Sequence, residues 1–173
     1  MSKLRLCLDL NIWCAALLAD FKGRQNTSAQ RLVQIVRVGH SSLGDVELVI
    51  SWGMIQRLEK VLVKDLQIDV AVSNMYLEAI VGLAQLAPQL TLGGTGILPL
   101  RDTEDAHVLE TAIAGKANVL VTANLKDFVA SDTQIIIRDR YLIHVTPTHR
   151  VQIVHPYLMM DWLNAASIPN LDG

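Results

Sequence analysis

Short aliphatic runs alternate along the chain with longer stretches in which apolar residues recur at helical spacing. The first run, Leu4–Leu8, reads as a buried strand, and residues 11–21 have the apolar density of a helix that stops at Lys22-Gly23-Arg24. Asn26, Thr27 and Ser28 offer N-caps for a second helix, whose Leu32, Val33, Ile35, Val36 and Val38 run to a natural stop at Gly39. Residues 46–50 restart extended structure, and Ser51 can cap a helix over 52–63 that carries Ile55, Leu58, Val61 and Leu62. A further helix over 69–86 ends before Pro88 and the Gly93-Gly94-Thr95-Gly96 turn. Beyond it, residues 97–100 read as extended and 104–114 as a helix stopped by Gly115. Residues 119–123 and Thr133–Ile137 read as strands, 142–145 as an edge strand, and 157–166 as a last helix with Pro156 in its first turn. Such short aliphatic strands, separated by helices long enough to cross over, predict an α/β domain with a mostly parallel sheet buried on both faces.

Composition narrows this picture. A chain of 173 residues fits one domain, here residues 1–166 followed by a short frayed tail over 167–173. With 51% hydrophobic and 18% charged residues, it is too apolar to be disordered. The formal charge of −2 gives no sign of a polyanion-coating protein, yet does not exclude nucleic acid, because a catalytic site for RNA need not be basic overall. Cys7 in the first strand and Cys14 in the next helix read as small packed hydrophobes rather than a bridge, which points to a reducing cytosol. No uninterrupted apolar run is long enough for a membrane span, and Asp9 arrives too early for a signal-peptide core; the expectation is a cytoplasmic protein without a membrane segment.

Candidate chemistry collects at strand ends. Asp9 directly follows the first strand, Asp102 and Asp105 follow the segment ending at Leu100, and Asn124 with Asp127 follow the strand over 119–123. Glu59 reaches the same edge only if its helix leans over the sheet. Any one of these is ordinary turn or cap chemistry. Their convergence is the informative point, since in open α/β sheets functional groups gather where strands end. Clustered carboxylates repel one another and are normally tolerated around a hard divalent cation such as Mg²⁺ or Mn²⁺. Such a cation suits phosphodiester hydrolysis with few further protein groups, so a metal-dependent phosphodiesterase is the hypothesis.

Four segments together resemble the PIN domain, a family of metal-dependent ribonucleases that includes toxins of bacterial toxin–antitoxin pairs. The resemblance runs from about Leu4 to Leu163. It is carried by Asp9-Leu10-Asn11, by Ser51 with Arg57-Leu58-Glu59-Lys60-Val61-Leu62, by Asp102-Thr103-Glu104-Asp105 leading to Gly115, and by Val121-Thr122-Ala123-Asn124-Leu125-Lys126-Asp127-Phe128. The resemblance implies a three-layer α/β/α sandwich with a mostly parallel five-stranded sheet in the order 3-2-1-4-5. It implies Asp9, Glu59, Asp105 and Asp127 as catalytic residues, and Asp9, Asp105, Asn124 and Asp127 as ligands of Mg²⁺ or Mn²⁺. Asn11, Ser51, Asp102 and Thr122 take supporting roles. The implied activity is hydrolysis of RNA by a toxin-like endoribonuclease, with a homodimeric assembly and an antitoxin protein as partners.

Leu10 stands where the family has a hydroxyl and Asn124 where many members have Asp. These departures keep a second reading open, a weak or inactive relative that binds RNA or a protein partner through the same fold. A receiver-like phosphotransfer protein, with Asp9 phosphorylated, needs a positioned Lys and a further acidic pair that the chain does not offer. Lys22, Arg24, Arg31, Arg37, Lys60, Lys64 and Lys126 can line an RNA path, though solvated helix faces explain them equally well. The apolar helix over 70–86 and the last helix are expected to present surface for a second subunit or inhibitor.

Overall fold

The computed structural model describes residues 3–86, 90–91 and 103–169, with side chains described over 3–84 and 106–169. In chain order the strands are β1 (Leu4–Leu8), β2 (His40–Ser41), β3 (Gly44–Leu48), β4 (Ile50–Ser51), β5 (Leu90–Thr91), β6 (Val119–Val121), β7 (Thr133–Ile137), β8 (Tyr141–Val145) and β9 (Arg150–Val154). The helices are α1 (Leu10–Phe21), α2 (Ser28–Val38), α3 (Trp52–Lys60), α4 (Val70–Leu86), α5 (Thr103–Ala114) and α6 (Pro156–Ala165). A π-helical turn, Val61–Asp65, extends α3, and a 3₁₀ turn, Leu125–Phe128, follows β6.

The main sheet has seven strands in the order β2-β3-β1-β6-β9-β8-β7. Its centre is parallel, β3 to β1 to β6 to β9, while β2, β8 and β7 add antiparallel edges. Helices cover the sheet, making the three-layer α/β/α arrangement that the sequence predicts. The count of seven corrects the expected five. The strand beside β6 is β9, which the hydropathy pattern leaves unassigned because Gln152 interrupts its aliphatic run. That amide is buried by being satisfied: Tyr141 Oη donates to Gln152 Oε1 at 2.7 Å. Thr133–Ile137 is a strand as expected, but it belongs to a hairpin with β8 rather than to the parallel core. Residues 97–100, expected as extended, lie outside the described residues.

Local chemistry places the elements. Thr27 caps α2 through a reciprocal box with Gln30, and Gly39 ends it in the left-handed region at φ 73°. Ser51 Oγ accepts from Met54 N–H at 3.2 Å and starts α3. Gly115 follows α5 for a different reason, close approach: a Cβ there would collide with the side chain of Val49. The core is continuous across the sheet, with Leu6, Leu8, Leu48, Val119, Leu120, Val121, Ile153 and Trp13 fully buried.

At the edge opposite the strand C-termini, Lys3 Nζ and Arg5 Nε lie 2.8 and 3.3 Å from the two carboxylate oxygens of Glu47. The hydrogen bond from Lys3 and the charge of both cations hold the Glu47 carboxyl below the usual carboxylate range. The unfolded chain therefore binds this proton at higher pH than the folded one, so the stabilisation is complete above about pH 4.5 and is lost as pH falls through the lower folded value. Two outcomes are expected. The melting-temperature gap between wild type and Glu47→Gln narrows below about pH 4.5, as followed by circular dichroism. Gly115→Ala destabilises by about 1–3 kcal/mol in urea unfolding, the usual cost of overpacking a filled interior.

Candidate active site

The register of the central strands builds the site. Leu8 on β1 pairs with Val121 on β6, so the residues that follow, Asp9 and Thr122, emerge side by side at the C-terminal edge. The backbone N–H of Asp9 donates to the Val121 carbonyl at 3.0 Å, and that of Thr122 to the Val154 carbonyl at 3.0 Å. Asp9 is 5% exposed and its carboxylate is held by several donors. Oδ1 accepts from Leu10 N–H at 2.7 Å, which also makes Asp9 the N-cap of α1. Oδ2 accepts from Thr122 Oγ1 at 2.7 Å and from Asn11 Nδ2 at 3.2 Å. Thr122 Oγ1 in turn accepts from Asn124 N–H at 3.1 Å, and Asn11 Oδ1 from Ala123 N–H at 3.4 Å. One hydroxyl thus ties the carboxylate after β1 to the chain leaving β6.

A cleft of about 370 Å³ opens in front of this group. Asp9, Leu10 and Asn11 form one wall, and Asn124 with Asp127 reach it from the 3₁₀ turn after β6. That turn is anchored by the buried side chains of Leu125 and Phe128, and Asp127 N–H donates to the Asn124 carbonyl at 3.2 Å. Val61, Leu66 and Val108 supply an apolar floor. Cys14, unremarked in the hydropathy pattern except as packing, also lines the cleft. Burial, helped by the negative charge of Asp9, pushes its thiol up to about 11, so it is a neutral wall at physiological pH.

The structure brings together Asp9, Asn11, Thr122, Asn124 and Asp127. It does not bring Glu59 to them: this side chain is exposed on α3, whose buried stripe is Met54, Ile55 and Leu58, and it does not line the cleft. Ser51 is buried as a helix cap and is hydrogen-bonded to Thr111 of α5 at 2.8 Å, a tie between helices rather than a cleft group. Asp102 lies outside the described residues; Asp105 has its backbone in α5 and its side chain outside them. Among the described residues, no three His, Cys, Asp or Glu side chains form a metal-binding group. The polar groups of Asp9, Asn124 and Asp127 that line the cleft offer carboxylate and amide oxygens, donors suited to a hard divalent cation.

A second groove, of about 430 Å³, shares Asn11 and Leu18 with the cleft. Lys22, Arg24, Thr27, His155 and Tyr157 line it. His155 Nδ1 accepts from Tyr157 N–H at 3.2 Å, and burial, with the nearby Arg140 charge, holds its imidazole below the usual histidine value. The sequence pattern does not single out this pair, because the groove exists only once α6 is docked beside α1 and α2.

A three-layer α/β/α protein with an oxygen-lined cleft at the C-terminal edge of its parallel strands is the class that fold and site define. A family model for the PIN domain matches residues 5–126, and the chain belongs to that family. PIN domains are generally nucleases and typically use divalent metals. No curated protein and no solved structure matches the chain. Among the described residues, no helix is long and apolar enough to cross a membrane.

The Asp9–Thr122 tie is directly testable. Thr122→Val preserves shape but removes the hydroxyl and is expected to cost about 1–3 kcal/mol of unfolding free energy, since it leaves a buried carboxylate short of a donor. Thr122→Ser, which keeps the hydroxyl, is expected to stay near wild type in the same urea titration.

Proposed function

We propose that this protein is a metal-dependent endoribonuclease that hydrolyses RNA phosphodiester bonds at the Asp9 cleft. The observation that carries the reading is the convergence of Asp9, Asn124 and Asp127 on one cleft, with Asp9 fixed by Leu10, Asn11 and Thr122. Membership of a nuclease family supports it. Asp9, Asn124 and Asp127, with Asp105 from the start of α5, are the residues proposed to hold Mg²⁺ or Mn²⁺. Such a cation, when bound, neutralises the carboxylates, polarises a phosphoryl oxygen and makes a water more acidic.

The chain's own groups do the positioning. Donors on both Asp9 oxygens hold that carboxylate in one orientation before substrate arrives, so little reorganisation is needed. Val61, Leu66 and Val108 add apolar lining, which lowers the local polarity beside the charged groups and strengthens their interactions relative to open water. The adjoining groove is proposed as the path of the single-stranded RNA on one side of the scissile bond. Lys22 and Arg24 would face its phosphates, while Tyr157, 61% exposed, offers a ring face for a base. A toxin-like role in the cytoplasm, opposed by an antitoxin protein, belongs to the same proposal.

The experiment is cleavage of a labelled single-stranded RNA with and without Mn²⁺. Wild type is expected to cut only with metal, and Asp9→Asn and Asp105→Asn to lose activity on the order of 100-fold or more, the scale on which one electrostatic element of a reaction centre acts. In the same assay Lys22→Ala with Arg24→Ala raises KM and leaves kcat largely unchanged. RNA binding without cutting in every metal tested would instead identify a non-catalytic binder.

A further inference from the structure

Beyond the groove beside the Asp9 cleft lies a third hollow, of about 640 Å³, bounded by the last turn of α1, the loop over 23–26 and α2. Arg24 lines both the groove and this basin, as Asn11 and Leu18 line both the cleft and the groove, so the three concavities adjoin in sequence. Gln25, Asn26 and Gln34 line the basin, and their exposed carboxamides bond to no other group among the described residues. Arg24 and Arg31 stand there too, and neither forms an ion pair among the described residues, although Asp20 lines the same space. Arg31 Nη2 donates to Asn164 Oδ1 at 3.4 Å.

The loop that carries these groups is fixed in place, and Gln30 is its clamp. Gln30 Nε2 donates to Asp20 Oδ1 at 2.6 Å and to the Arg24 carbonyl at 2.8 Å, while Oε1 accepts from Thr27 N–H at 3.0 Å. Arg24 N–H donates to the Ala19 carbonyl at 2.9 Å. Gly23 and Asn26 take the left-handed conformations, at φ 66° and 59°, that the reversal between the helices needs. A loop held in this way presents its amides with little ordering cost on binding.

We infer that this basin reads one base of a single-stranded RNA and favours bases that carry an exocyclic amino group over uracil. The inference rests on the proposed function for the course of the strand, from the Asp9 cleft through the adjoining groove to Arg24. Unpaired bases expose their hydrogen-bonding edges, and each carboxamide offers such an edge both a donor and an acceptor. Asp20 sets the preference. Its Oδ1 takes the Gln30 amide and its Oδ2 accepts from no described residue, so the wall keeps one group that only accepts. The amino groups of adenine, cytosine and guanine can donate to it, whereas the exocyclic groups of uracil are carbonyls that its charge repels. The same charge disfavours a phosphate inside the basin, which leaves Arg24 and Arg31 to hold the backbone at its rim.

The test is fluorescence anisotropy with uridine oligomers of about ten nucleotides, within the span of single-strand sites, each carrying one adenosine at a different position. A chelator keeps the RNA uncut, and circular dichroism verifies that each variant folds. Wild type is expected to bind about tenfold more tightly when the adenosine stands where it reaches the basin, and an abasic residue there to do no better than uridine. Gln25→Ala with Gln34→Ala is expected to make all positions equal. Asp20→Asn is expected to raise uridine to the level of adenosine, since an amide can donate to a carbonyl. Oligomers bound alike by wild type, or not bound at all, would overturn the inference. So would an adenosine preference that survives in the double variant and therefore belongs to stacking on Tyr157. Adenosine monophosphate competing as well as the best oligomer would assign the basin to a free nucleotide and overturn it too. Cleavage is scored separately with Mn²⁺: adenosine reading without cutting in any metal sinks the nuclease proposal alone, and cutting without adenosine reading sinks this inference alone.

Discussion

A buried carboxylate has to be satisfied, and in this protein the short hydrogen bond from Thr122 to Asp9 meets that requirement across two strands. Its geometry is inherited from the sheet. Because Leu8 pairs with Val121, the next residue on each strand arrives at the edge beside its counterpart. A slip of one position would turn Asp9 toward the opposite face and break the N-cap of α1 together with the tie to β6. Strand register, helix start and site geometry are therefore one constraint.

The two walls of the cleft are held by different means. The Asp9 wall belongs to the ladder and to the first turn of α1, both deeply packed. The Asp127 wall sits on a single 3₁₀ turn whose position depends on Phe128 and Leu125 being driven into the core. Hydrophobic anchoring of a short polar turn lets a carboxylate face solvent from a defined place without a long rigid element beneath it. Cys14 and Leu18 face the same space from α1, so the helix capped by Asp9 also supplies part of the lining.

The candidate cleft at the C-terminal edge and the antiparallel hairpin at the far edge are separate parts of this architecture. The parallel core from β3 to β9 carries the cleft, while the β7–β8 hairpin extends the sheet without altering it. His144 illustrates how that extension is tolerated: buried on β8, it lies 3.4 Å from Thr133 Oγ1, and burial holds its imidazole below the usual value, favouring the neutral form.

Much of this was legible from residue order alone. The strand over Leu4–Leu8, the caps at Thr27 and Ser51, the stop at Gly39, and the PIN-type segments around Asp9 and Asn124 all depend on near neighbours, which a linear pattern records. Local rules also predicted a parallel α/β sheet, because short aliphatic runs separated by helices have few other ways to be buried. What only the tertiary structure decided depends on partners distant in the chain. Gln152 is acceptable inside β9 because Tyr141 comes to meet it, Glu59 is left in solvent because the apolar stripe of α3 takes the inward face, and the isoleucines of β7 are exposed because, among the described residues, no strand pairs with its outer edge. Local pattern specifies what each segment prefers, and packing determines which of those preferences are met.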